Sequence, residues 1–421
     1  MNIIDKLPEI DIEIKRTVLD GGTVVIVNER PWSSSVYVYG GIVGGLCIEE
    51  VYGEANFTSS LLLKRYRRKT ARQIVVEIEG MGASASFRAG YEAVIFTLMS
   101  RRENFEKVMG KVLKYASRPS FPEKEIKNAR SRIASIIREN EQSPRFMGLK
   151  IFKELMFTKD NPYGRPIEGY VESIMNISRS NLISYHRKLF HKGNFIIAIA
   201  GGICFNEAVN VVEKALTYIE DGRTEVKWPE TPEVKGVREE VYEMPGKSEA
   251  RIVLGSSAIP KNHPDYVPLL AANDILGSFG LFGRLGKRIR DEEGLAYGVW
   301  SSLSLGKEAG YWTVEAGVNP KNLDKAYRMI LEELDRISSE PVSEKELNQV
   351  KGDLVGSLAV DLERNSFVAR LLFDIEFYGL GTDYISRLRR DILNLKVSDI
   401  LNVSRKYFKP DNYIAVFVKP K

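Results

Sequence analysis

Apolar and polar positions alternate with a period of two in "TVVIVNE" from Thr23 and in "SSVYVYGGIV" from Ser34, the signature of paired strands. Elsewhere the pattern turns helical. Thr70-Ala71-Arg72-Gln73 is a capping box, in which the Thr hydroxyl accepts a helix N–H and Gln73 reaches back, and it predicts a helix running to about Gly80. Glu123–Asn140 and Ser143–Phe157 read as long helices, the second with Pro144 at its first helical position. "LFGRLGKRIRDEE" (Leu281–Glu293) reads as another, ended by Gly294 in a left-handed turn, and "LAYGVWSSLSL" then runs as a strand. Ser180 and Ser398 sit near matching helix starts, and each of those helices feeds a closing strand. Helices and strands are partly segregated, which predicts an α+β fold of mostly antiparallel sheets with helices on one face.

The pattern is written twice. Ala89-Gly90-Tyr91 returns as Ala309-Gly310-Tyr311, 220 residues on, and Asn104…Lys107 returns as Asn322…Lys325, 218 on. "SNLISYHRKLFHKGNFIIAIA" from Ser180 returns as "SDILNVSRKYFKPDNYIAVFV" from Ser398, again at 218, and Glu123-Lys124-Glu125 returns at Glu344, 221 on. A solenoid repeats every ~20–50 residues, so this domain-sized period reads as an internal duplication. The expected division is residues 1–220 and 237–421, joined by the charged, proline-bearing linker 221–236.

Composition removes several function classes. The net charge of +5 over 421 residues does not call for nucleic acid or membrane. No apolar run has the length of a membrane span, and the first residues show no h-region of a signal peptide. Cys47 and Cys204 form no disulfide or metal framework, and a cytoplasmic protein is expected. Only three glutamines beside abundant Lys, Arg and Glu suggest a thermophile. There is no G-x-S-x-G elbow and no phosphate loop, and His186, His191 and His263 form no ligand pattern.

"GEANFTSSLLLKRYRRKTARQIVVEIEGMGAS" from Gly53, "NPYGRPIEG" from Asn161 and "GRLGKRIRDEEGLAYGVWSS" from Gly283 together resemble the insulinase/pitrilysin family, which includes mitochondrial processing peptidase. The likeness spans the chain, duplication included. Active members carry H-x-x-E-H on a helix, where two His at i and i+4 hold zinc and Glu activates the bound water. Those places, with a downstream ligand, fall here on Asn56, Ser59, Ser60 and Ile136. Asn and Ser are poor zinc ligands, Ile is none, and Ser59 is no base near neutral pH. The resemblance therefore implies no zinc on this chain.

Arg290 and Tyr297 remain. In the family an Arg and a Tyr at this separation donate hydrogen bonds to the substrate carbonyl that becomes an oxyanion. From the residues alone, Arg290 could instead pair with Asp291, Glu292 or Glu293, and Tyr297 could be a half-buried strand aromatic. The resemblance implies the non-zinc subunit of a two-chain metallopeptidase, with zinc on a homologous H-x-x-E-H partner and unfolded peptides as substrates. The alternatives are a structural core-type subunit and a peptide-binding protein, a homodimer when alone.

Overall fold

The computed structural model describes residues 8–421. Two large sheets dominate it. The strands of the first are β1 (Lys15–Val18), β2 (Val24–Glu29), β3 (Ser35–Val43), β6 (Ser84–Ala89), β7 (Ala93–Arg101) and β8 (Phe195–Gly201); a short ribbon, β4 (Arg65–Tyr66) with β5 (Lys69–Thr70), lies apart. The second holds β9 (Val237–Met244), β10 (Ala250–Ser257), β11 (Ala296–Leu305), β12 (Gly310–Val318) and β13 (Tyr413–Pro420). Strand order is β1-β2-β8-β3-β7-β6 in one and β9-β13-β10-β12-β11 in the other. In each, a single parallel pair, β2 with β8 or β9 with β13, is followed by antiparallel neighbours only. The two sheets thus share one pairing scheme over five strands.

Local signals explain the helices. Ala71–Glu79 starts from Thr70, whose Oγ1 accepts the Gln73 N–H while Gln73 Oε1 accepts the Thr70 N–H at 2.9 Å. Glu123–Asn140 and Glu344–Asp361 are both 18 residues long, and Pro144–Phe157 and Asn365–Tyr378 are both 14. Asn104 and Asn322 stand at the N-termini of Phe105–Ser117 and Leu323–Ser339. The Ala-Gly-Tyr repeat behaves differently. Cross-strand pairs Ser86–Thr97 and Ser302–Thr313, each 2.9 Å between hydroxyls, lie 216 residues apart rather than 220. Gly90 therefore matches Gly306, since both N–H groups close the hairpin onto the residue three positions ahead, Ala93 and Ala309. The two turns are equally long, and the tripeptide coincidence does not mark equivalent places.

Each sheet is apolar on both faces. On β2, Val25 and Val27 face one core with Val36, Val38 and Ile74, while Ile26 faces another with Ala198, Val368 and Phe373. On β10, Ile252 and Leu254 point one way; Val253 points the other, toward Met147, Phe152 and Met156. The second face of each sheet is covered by a helix from the opposite half of the chain. Asn365–Tyr378 lies across β2, β8 and β3, and Pro144–Phe157 lies across β10 and β13. Each incoming helix sets a ring on a strand glycine. Phe373 occupies the space a Cβ on Gly41 would need, and Phe152 Cζ stands 2.9 Å from where a Cβ of Gly255 would be. Polar pins reinforce the exchange. Buried Arg30 donates to the carbonyls of Leu362 and Glu363, and Arg16 pairs with Glu376 at 2.7 Å. Residues 221–236 form no helix or strand, yet they are tied down: Thr224 N to Asn194 Oδ1 at 2.8 Å, Trp228 edge-on to Phe377, and Gly236 N to Asn412 Oδ1 at 2.9 Å.

The helix Glu54–Leu61 is held from outside its own sequence. Glu49 Oε2 accepts the Ala55 N–H at 3.2 Å, and Arg165 Nε pairs with Glu49 Oε1 at 3.0 Å while its Nη2 donates to Leu46 O. The Glu49–Arg165 pair is buried, and burial pushes the Glu49 carboxyl up to about 7. Gly53 has φ +88° at the helix start, where a Cβ would meet Glu168 O at 2.5 Å.

Two outcomes are expected. Phe373→Ala opens a cavity against Gly41 and should cost about 3–5 kcal/mol in chemical denaturation, a loss that an exposed ring would not produce. Arg165→Met removes the cation that opposes burial at Glu49 and should cost about 3 kcal/mol at alkaline pH, where the carboxylate is charged. Because the folded state then takes up a proton on Glu49, that deficit should be full well above pH 7 and shrink as pH falls toward about 7. A deficit independent of pH would show that Glu49 is not its source.

Candidate functional site

Helix Glu54–Leu61 presents the places that carry zinc chemistry in the resembled family. The Ser59 hydroxyl donates to Ala55 O at 2.7 Å and the Ser60 hydroxyl to Phe57 O at 2.8 Å. Both are folded back on their own helix, the usual habit of a hydroxyl in mid-helix. Ser59 and Ser60 line a groove of about 250 Å³ with Ile74, Glu79, Ser84 and Ser86; Asn56 and Ile136, both half-buried, do not border it. Ile136 lies on Glu123–Asn140, between buried Ile133 and Ile137. This donor set does not fit zinc: two hydroxyls engaged elsewhere, one amide and one hydrocarbon supply neither charge nor soft nitrogen. Among the described residues, no group of three His, Cys, Asp or Glu is placed to hold a metal.

The second place lies where β11 begins. The preceding helix, Gly286–Glu292, is wound wider than an α-helix, a form that recurs at functional sites. Gly294 takes φ +61° and ends it, and Leu295 N–H donates to Ile289 O at 2.9 Å. That bond ties the residue after Gly294 to the one before Arg290. Ala296 pairs with Val318 and Gly298 with Gly317, so Tyr297 is the extra residue of a β-bulge. A bulge re-aims the side chain it carries. Tyr297 is 65% exposed, and its ring is not the half-buried strand aromatic that the pattern allowed.

Arg290 is also exposed. The acids beside it are engaged elsewhere: Glu292 with Lys287 at 3.9 Å and Glu293 with Lys325 at 2.6 Å. Among the described residues Arg290 has no ion pair, and neither it nor Tyr297 has a side-chain hydrogen bond. A cation and a phenol thus stand unengaged at the two ends of one tight turn.

Further along β11 is a cluster that sequence reasoning did not single out. Trp300 carries Arg145 at 4.6 Å and Arg251 at 5.8 Å from its ring centroid, and Arg145 pairs with buried Glu315 at 3.1 Å. These residues come from four elements, three of them strands of this sheet, and Arg145 joins them only because helix Pro144–Phe157 crosses to it. No local spacing announces them.

Residues 176–354 match the family described as the peptidase M16 inactive domain. Relatives span most of the chain. A protein of Rickettsia felis named an uncharacterized zinc protease is 23% identical over 93% of this chain and 94% of its own length. The uncharacterized zinc protease YmxG of Bacillus subtilis is 24% identical over 85% and 87%. Among solved structures, a peptidase M16 inactive domain from Pseudomonas fluorescens superposes with a TM-score of 0.91 at 21% identity, over 97% of this chain and 99% of that one. A chain of Complex III2 from Candida albicans gives 0.79 at 17% identity, over 96% and 95%. The chain thus has the fold of the M16-like structures, and its residues 176–354 are similar to the peptidase M16 inactive domain.

Proposed function

We propose that this chain is the non-zinc subunit of a two-chain M16 peptidase and that Arg290 and Tyr297 bind the carbonyl of a peptide held against the partner. The bulge that turns Tyr297 outward, one tight turn from an unpaired Arg290, carries the reading. A structural ornament would not need a full cation and a phenol both left without partners. A peptide carbonyl accepts a hydrogen bond weakly in the ground state and strongly as its oxygen becomes an oxyanion, so such donors act mainly on the transition state. Water activation and the metal belong to the partner, a homologue with H-x-x-E-H, because Asn56, Ser59, Ser60 and Ile136 offer no ligand set. In the same reading the chain is two copies of one unit, residues 1–220 and 237–421 with 221–236 between them, and the assembly works in the cytoplasm. The shared five-strand order supports the duplication. No helix among the described residues is long and apolar enough to cross a membrane.

The likeness to a chain of Complex III2 favours a second reading, a purely structural subunit. One experiment separates the two: purify the chain with its partner and measure peptide cleavage. The pair should be active and either chain alone inactive. Tyr297→Phe should lower kcat about a hundredfold with little change in KM, and Arg290→Ala should cost at least as much. Full activity in the double variant Arg290→Ala/Tyr297→Phe would favour the structural subunit. The isolated chain should also bind no stoichiometric zinc; metal analysis near one zinc per chain, abolished by Asn56→Ala, would overturn that part.

A further inference from the structure

A cavity of about 460 Å³ lies between the two sheets, away from both places described above. Its walls come from β3 and β7 on one side, from β11 and β12 on the other, and from helix Asn365–Tyr378. The volume falls in the range of small-molecule sites. Four charged side chains border it: Glu92, Asp374, Lys261 and Arg370. Among the described residues none of the four joins an ion pair. Glu92 accepts a backbone N–H from Lys307 at 2.6 Å and lies beside the Tyr163 hydroxyl, and Lys261 donates to the Tyr266 hydroxyl at 2.8 Å. Burial pushes both carboxyls above their ordinary range, against the pull of Lys261 and Arg370 on Asp374 and of Lys307 on Glu92.

Tyr163 supplies the second observation. Its side chain is 6% exposed and borders the cavity, and its hydroxyl has no hydrogen bond of good geometry although it lies beside Glu92. Orphaned buried hydroxyls are uncommon and call for a reason. Gly306 makes room here, since a Cβ would overlap the Tyr163 hydroxyl. The remaining wall is aromatic: Tyr39 packs on Phe373 at 5.3 Å, and Phe373 stacks on Phe377.

Two acids and two bases that share no ion pair, a phenol without a hydrogen bond of good geometry and an aromatic wall fit a molecule that bears both charges and an apolar body. We propose that this cavity binds a zwitterionic amino acid or dipeptide with an aromatic or large apolar side chain. The ammonium sits on Glu92 and Asp374, the carboxylate on Lys261 and Arg370, and the side chain against the Phe373 ring. The proposal does not depend on the role of Arg290 and Tyr297, and it is tested without a peptidase assay.

The full chain is titrated calorimetrically with L-phenylalanine and with the dipeptide Leu-Phe, and its melting temperature is followed in parallel. Saturable binding and a raised melting temperature at millimolar ligand are expected. N-acetylphenylalanine and phenylalanine amide, each lacking one charge, should bind about tenfold more weakly. Asp374→Asn and Arg370→Gln should each weaken L-phenylalanine by a similar factor. Arg370 is exposed, so its variant also serves where Asp374→Asn disturbs folding, and the ligand-free melting temperature of each variant checks this. No saturable binding of either zwitterion overturns the proposal. So does equal binding of the blocked compounds, or binding indifferent to both substitutions.

Discussion

The reciprocal exchange of two helices is the constraint on which the other features rest. Both sheets bury apolar side chains on both faces, and neither half of the chain covers its own second face. Phe373 against Gly41 and Phe152 near Gly255 close those faces from the opposite half. A fully buried ring contributes a few kcal/mol that an exposed one does not. The halves therefore stabilise each other, and Arg30 and Arg16 fix their angle through carbonyls and a carboxylate of the other side. A duplicated unit that only abutted its copy would leave two apolar sheet faces in water.

The same exchange decides which strands stay available. The crossing helices lie over β2, β8 and β3 in one sheet and over β10 and β13 in the other, while β6 and β11 end their sheets. The degenerate helix Glu54–Leu61 packs beside β6, and the Arg290–Tyr297 turn opens β11. Both candidate places thus sit beside end strands, one per sheet. They differ in what their side chains do. Ser59 and Ser60 spend their hydroxyls on their own helix, whereas Arg290 and Tyr297 spend nothing. Glu49 and Arg165 anchor the start of Glu54–Leu61 from outside its own sequence.

Where the two sheets meet, the turn glycines Gly90 and Gly306 stand on facing walls of the cavity. Their hairpins bring Glu92 and the Lys307 amide into contact and leave Tyr163 without a partner of good geometry. Such polar groups between units are tolerated when water or a ligand completes them. The interface is therefore both a source of mutual stability and a region where charged side chains stand without an ion pair.

Much of this was legible along the chain, because it depends on neighbours a few residues apart. The Thr70 capping box, Pro144 at the start of its helix, the 18-residue helix from Glu123 and the left-handed Gly294 are all settled within one or two turns of backbone. That Asn56, Ser59, Ser60 and Ile136 make a poor zinc donor set is a matter of residue type alone. The exchange of Pro144–Phe157 and Asn365–Tyr378 was not legible, since an apolar helix face does not say which sheet it will cover. Nor was the bulge at Tyr297, which exists only because β11 has one residue more than β12 over the same pair of rungs. The Ala-Gly-Tyr repeat misled for a related reason: hairpin pairing, not tripeptide identity, sets register. Periodicity and caps decided the elements; the meeting of faces distant in sequence decided which charges and phenols were left facing open space.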